Sequence, residues 1–148
     1  KVGDYDAIVI ALAGLIRLGI SDIVTEVIPY DIILPSVGQG ALGIEIKKDN
    51  KGIKEIISIL NDEKSVSAVK CERALLRGLG GGCQVPVGAF ARVEGIKLLI
   101  EASVTSIDGE KSIKGMESGL INESAEIGSR LAKKLLEQDA DKLIDSRV

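Results

Sequence analysis

Three successive glycines, Gly80 to Gly82, lead into Cys83, which is followed by Gln84-Val85-Pro86. A thiol on so lightly constrained a backbone, between a helix end and a strand start, is expected to be exposed instead of packed. Arg73 and Arg77 would favour its thiolate if the turn folds back toward them, whereas a helix C-terminus would oppose it. The same cysteine also reads as a small apolar residue opening a strand, and pattern alone leaves both readings standing. Cys71 is different. It shares a helical face with Ala68, Leu75 and Leu79, and is expected to be an inert core thiol.

A second cluster of glycines lies in Val37-Gly38-Gln39-Gly40-Ala41-Leu42-Gly43. No Gly-Lys-Ser/Thr follows, and a strand pattern rather than a helix comes next, so neither a phosphate loop nor a dinucleotide fingerprint fits. A strand-entry turn and a ligand-contacting loop both remain. Arg17, Lys47, Arg73 and Arg77 suit an anionic ligand, arginine gripping carboxylates through paired hydrogen bonds; each alone also reads as a solvated charge. Asp4 and Asp6 are spaced as a carboxylate pair, but an N-terminal turn explains them better.

Composition narrows the chemistry. The 148 residues suit one domain or pieces of two, and 45% hydrophobic with 28% charged residues describes a folding chain. Aromatics are 2%, which leaves no platform for stacking bases, and a net charge of −3 gives no general attraction to nucleic acid or anionic lipid. There is no histidine, so acid–base work falls to carboxylates, lysines or cysteine. Two cysteines with no disulfide framework fit a reducing, cytoplasmic setting. The longest apolar run, Ala7 to Ile16, is about half of what a bilayer crossing needs. The opening on Lys1, with an apolar run close behind it, reads as an entry in mid-domain and hence as a fragment.

These residues need elements to hold them. Asp6 to Ala11 reads as a short buried parallel strand, Leu12 to Leu18 as a helix stopped by Gly19, and Ser21 or Asp22 as the cap of another helix to about Val27. Pro29 and Pro35 bracket an extended crossing segment, and an alternating strand is expected from Leu42 to Lys47. Ile53, Ile56, Ile57 and Leu60 mark an amphipathic helix, and a second runs from a Ser65 cap to Leu79. Val87 to Val93, Lys97 to Ser106 and Lys111 to Gly115, joined at Glu94-Gly95 and Asp108-Gly109, form an antiparallel sheet. A helix over Ser124 to Glu137 covers it with Ile127, Leu131, Ala132 and Leu135, and a short helix over Asp139 to Ile144 follows.

Four blocks in order, Asp6 to Gly19, Leu34 to Glu45, Glu72-Arg-Ala-Leu75 and Gly81-Gly-Cys-Gln-Val-Pro-Val-Gly88, resemble the hydroxymethylbilane synthases, or porphobilinogen deaminases. The resemblance covers nearly the whole chain but only the C-terminal part of that enzyme. It implies a transferase that joins four porphobilinogen molecules into linear hydroxymethylbilane, releasing ammonia, on the route to haem. It also implies a dipyrromethane primer held by a thioether, on Cys83 here, where a pliable glycine loop suits a growing chain.

The resemblance places Ala11, Arg17, Gln39 and Gly40 in the cleft around substrate and cofactor. Lys47 stands where an arginine is usual, keeping the charge but losing the two-pronged grip, and Arg73 matches a frequent arginine of the helix before the cofactor loop. The catalytic aspartate belongs to the N-terminal domain and has no counterpart here, so the fragment alone is expected to be inactive. The implied fold class is α/β plus α+β: residues 1–29 end a second periplasmic-binding-protein-like domain, 30–62 return a strand and helix to the first, and 63–148 form a small α+β third domain. The parent is expected to be monomeric, and the fragment to associate through exposed apolar surface. Outside the family, a non-enzymatic anion-binding module would keep Arg17, Lys47 and the glycine loop but have no use for Cys83, and a structural or regulatory fragment would carry no adduct and bind no pyrrole.

Overall fold

The computed structural model describes residues 3, 5–81 and 86–144. Its first part is a string of short elements. Helix α1 (Leu12–Leu18) ends at Gly19, whose φ of 69° lets its N–H reach the Ile16 carbonyl while the Ile20 N–H reaches Leu15. A single 3₁₀ turn, Ser21–Ile23, stands where a helix to Val27 was expected. Helix α2 (Lys51–Ser58) is capped by the Asn50 side chain, which accepts from the Ile53 N–H at 3.1 Å.

The strands expected at Asp6 to Ala11 and from Leu42 to Lys47 are not formed. The reason is physical: a strand's N–H and C=O groups need a neighbouring strand, and within the described residues these segments have none. Ile8 and Val9 are 73% and 74% exposed and Leu42 fully so, apolar side chains with nothing to pack on. The α/β portion of the expected fold is therefore not assembled among the described residues.

The second part is self-contained. Helix α3 (Glu63–Gly78) is capped not by Ser65 but by Asp62, whose carboxylate accepts from the Ser65 N–H at 2.7 Å. Strands β1 (Val87–Glu94), β2 (Lys97–Thr105) and β3 (Ser112–Leu120) form an antiparallel meander in that order. The two hairpins turn at Gly95 and Gly109, both at positive φ. Helix α4 (Ser124–Leu136) lies with α3 on one face of the sheet, and α5 (Ala140–Ile144) follows. Ala89, Ala91, Leu98, Ile100, Ala102 and Val104 point into the core, against Cys71, Leu75 and Leu79 of α3 and Ile127, Leu131 and Leu135 of α4. This is the small α+β unit with a three-stranded antiparallel sheet that the sequence predicts.

Strand β3 runs to Leu120, five residues past the expected end at Gly115. Its core-facing positions include two glycines, which weaken the strand pattern. A Cβ on Gly115 would lie 3.0 Å from both Leu131 and Leu135, and one on Gly119 3.0 Å from Ile127. The glycines let α4 settle onto the strand.

Candidate functional site

The chain approaches and leaves Cys83 through fixed geometry. At the end of α3, Gly80 adopts φ 87° and its N–H bonds the Arg77 carbonyl, while the Gly81 N–H bonds Leu76 at 2.9 Å, the paired closure of a Schellman cap. A Cβ on Gly81 would stand 3.0 Å from the Leu76 oxygen. Two of the three glycines thus have a defined job in stopping the helix. Past Cys83, the Pro86 carbonyl accepts from the Thr105 N–H at 3.0 Å and β1 begins. Cys83 itself lies outside the described residues.

Cys71 is as expected. It is fully buried, and desolvation, reinforced by the neighbouring Glu72 charge, pushes its thiol up to about 12. It is a core residue without thiolate character at neutral pH.

The segment from Tyr30 to Gly40 is laid against the sheet rather than free. Tyr30 stacks on Phe90 of β1 with ring centroids 4.3 Å apart. The Pro35 carbonyl accepts from the Ala89 N–H at 2.8 Å, and Ser36 bridges to Gly88. Gly88 has to be glycine for this, since a Cβ would come within 2.9 Å of Leu34. Gly38 and Gly40, at φ 75° and 82°, form successive tight turns in which Gln39 donates to the Ser36 carbonyl. Both have open space where a side chain would be, and Gln39 and Gly40 are exposed, so this backbone is bare toward solvent.

Glu72 holds the glycine segment. Its carboxylate is buried at 6% exposure on α3, yet one oxygen accepts from the Gly38 N–H at 2.7 Å and the other from the Ala91 N–H of β1 at 2.8 Å. Burial raises its pKa, and the two amides oppose that rise. Nothing in the sequence block Glu72 to Leu75 by itself assigns Glu72 this role. The signal that could have found it is a carboxylate beside Cys71 and one turn before Leu75, next to an apolar helix face.

Of the remaining residues singled out in the sequence, Ala11 lies exposed just before α1, Arg17 in its last turn, Lys47 in the connection to α2, and Arg73 and Arg77 on the outer side of α3. None of these four cations forms an ion pair among the described residues. Unpaired, exposed cations fit a polyanionic ligand. Glu72 brings Gln39 and Gly40 to the helix carrying Arg73, whereas no hydrogen bond or ion pair links Arg17 or Lys47 to them. A separate cavity of about 330 Å³ on the outer sheet face is lined by Tyr30, Leu34, Gly88, Ser103, Ser112 and Lys114 among others, and includes none of Ala11, Arg17, Gln39, Gly40, Lys47, Arg73 and Arg77. No helix among the described residues is long and apolar enough to cross a membrane.

Two family models match: porphobilinogen deaminase, dipyromethane cofactor binding domain, over residues 1–55, and porphobilinogen deaminase, C-terminal domain, over residues 66–137. The chain is 46% identical over 142 residues to the porphobilinogen deaminase of Prochlorococcus marinus, covering 96% of this chain and 45% of that protein. It is 45% identical over 141 residues to that of Pelotomaculum thermopropionicum, with 95% and 45% covered, and 45% identical over 146 residues to that of Chlorobium limicola, with 96% and 47% covered. The chain thus spans a little under half the length of these relatives. With both halves of the chain matched to domains of one enzyme in consecutive order, it belongs to the porphobilinogen deaminase family.

Proposed function

We propose that this chain is the cofactor-carrying portion of a hydroxymethylbilane synthase, with a dipyrromethane joined by a thioether to Cys83. The observation that carries the assignment to this sulfur is the burial of the other one: Cys71 has no exposed surface, so it has no room for a pyrrole substituent. Cys83 is the only other cysteine in the sequence. When bound, the dipyrromethane supplies the acceptor pyrrole; each addition exchanges the C–N bond of porphobilinogen for a C–C bond, and the displaced hydrogen leaves in ammonia.

This chain's own residues serve binding and orientation. Ala11, Arg17, Gln39, Gly40 and Lys47 all fall within the segment that matches a cofactor-binding domain, which supports a role for them around the pyrroles. Each pyrrole brings two carboxylates, and Arg17, Lys47 and Arg73 supply positive charge on a chain that is acidic overall. The glycine segment presents exposed backbone at Gln39 and Gly40. The catalytic carboxylate lies outside this chain in this reading, so the isolated polypeptide releases no ammonia from porphobilinogen.

The reading divides the chain into residues 1–29 and 30–62, parts of two periplasmic-binding-protein-like domains, and 63–148, the domain that carries the cofactor. The exposed apolar side chains of α1, α2 and their connections, Ile16, Ile23, Ile56 and Leu60 among them, are what such incomplete domains would leave uncovered. The complete enzyme is a cytoplasmic monomer, while the chain by itself associates through these surfaces. The test is Cys83→Ser in the complete enzyme, with Cys71→Ala beside it, scored by tetrapyrrole formed from porphobilinogen. Loss in the first and retention in the second is expected; undiminished product from Cys83→Ser overturns the reading.

A further inference from the structure

We propose that Glu72 is a positioning residue that keeps the glycine segment in register with the end of α3 and the start of β1, the described elements on either side of Cys83, an inference that rests on the function proposed above. One carboxylate joins three pieces of chain: α3, which leads to Cys83; β1, which leads away from it; and Val37 to Gly40, which carries Gln39 and Gly40. Both oxygens are spent on backbone amides, and no cation pairs with Glu72 among the described residues. Burying a carboxylate without a counter-charge is costly, and an apolar residue would fill this place on α3 more cheaply. What the carboxylate adds is geometry.

An oxygen at each end of a planar group fixes the separation of Gly38 and Ala91, and glutamine cannot reproduce it because its NH₂ would face an N–H donor. The adjacent contacts, Pro35 to Ala89 and Tyr30 to Phe90, hold the segment to β1 only as far as Ser36; beyond that point Val37 packs against the core and Glu72 supplies the hydrogen bond that fixes the Gly38 backbone. Without it, Gln39 and Gly40 would drift relative to the attached pyrrole chain while the fold persists.

The experiment compares Glu72→Gln and Glu72→Asp in the complete enzyme with Ile127→Val, a core change remote from the glycine segment. It reads kcat and KM well below the melting temperature, hydrogen exchange at Gly38, and the mass of the Cys83 peptide. Losing a hydrogen bond to a charged group predicts that Glu72→Gln lowers kcat about tenfold or more and speeds Gly38 exchange by a similar factor. Glu72→Asp, too short to reach both amides, is expected to lie between it and wild type. Ile127→Val should change neither. Failure of the Glu72 variants to carry the adduct, with Ile127→Val loaded, also supports positioning. If the Glu72 variants lose only melting temperature and otherwise match Ile127→Val, the proposal is overturned. An unmodified Cys83 in active wild-type enzyme sinks the thioether reading instead, and the Gly38 exchange then still judges Glu72.

Discussion

Gly128 of α4 meets Cys71 of α3 backbone to backbone: a Cβ at Gly128 would overlap the Cys71 carbonyl oxygen and stand 2.9 Å from the Leu75 nitrogen. The same seam continues at Gly78, where a Cβ would lie 2.5 Å from that of Ala132. Alanine favours a helix over glycine by about 1 kcal/mol, but rigid backbone cannot yield to the clash. Gly128→Ala is therefore expected to destabilise by about 2–3 kcal/mol, read as a lower denaturant midpoint at unchanged slope. Gly14→Ala on α1, where the added methyl meets open space, should not lower it. A Gly128→Ala protein as stable as wild type would refute the packing described.

Gly88→Ala should lift the Tyr30 to Ser36 segment off β1, because the added methyl occupies the position of Leu34. The expected signature is a changed near-ultraviolet tyrosine signal, as Tyr30 leaves Phe90, with faster exchange of the Ala89 amide. The meander and its helices should survive. A variant with the Tyr30 signal and Ala89 protection intact would show that the contact is not needed.

Cys71 should resist alkylation in the native protein up to about pH 9 and react only on unfolding, because its thiol is both enclosed and held protonated. Peptide masses after iodoacetamide treatment, with and without denaturant, check this. Native labelling of Cys71 would contradict it.

The pH dependence of stability should have two opposed components. Asp62, Asp108 and Glu117 have lowered pKa values, through the Ser65, Ser106 and Lys134 hydrogen bonds respectively, so their stabilisation is present above the ordinary carboxylate range and is lost as pH falls through their folded values. Glu72 has a raised value, mainly from burial; its contribution is fullest below the unfolded value and declines as pH rises through the folded one. Relative to Glu72→Gln, wild type should lose stability as pH is raised from 4.5 toward neutrality. A constant difference between the two proteins across that range would be the contrary result.

How much of this was legible depended on whether an element finds its partner within the chain. The Ile127, Leu131, Leu135 stripe and the Cys71, Leu75, Leu79 stripe face each other across the same core, so their helices were readable from spacing alone. Asp6 to Ala11 carries as clear a strand pattern, but no neighbouring strand exists among the described residues and it stays irregular and exposed. The length of β3 was hidden because its core positions are glycine, chosen by the bulk of α4 rather than by strand propensity. At the site, Cys71 was read correctly as core. Glu72 was missed because a buried carboxylate is understood only through the Gly38 and Ala91 amides, which come from distant parts of the sequence.

The most direct test is peptide mass mapping of the complete enzyme purified from its host. The account predicts a mass increment of two linked pyrrole units on the peptide containing Cys83 and an unmodified Cys71 peptide. An active enzyme with both cysteines unmodified, or with the increment on Cys71, would contradict it.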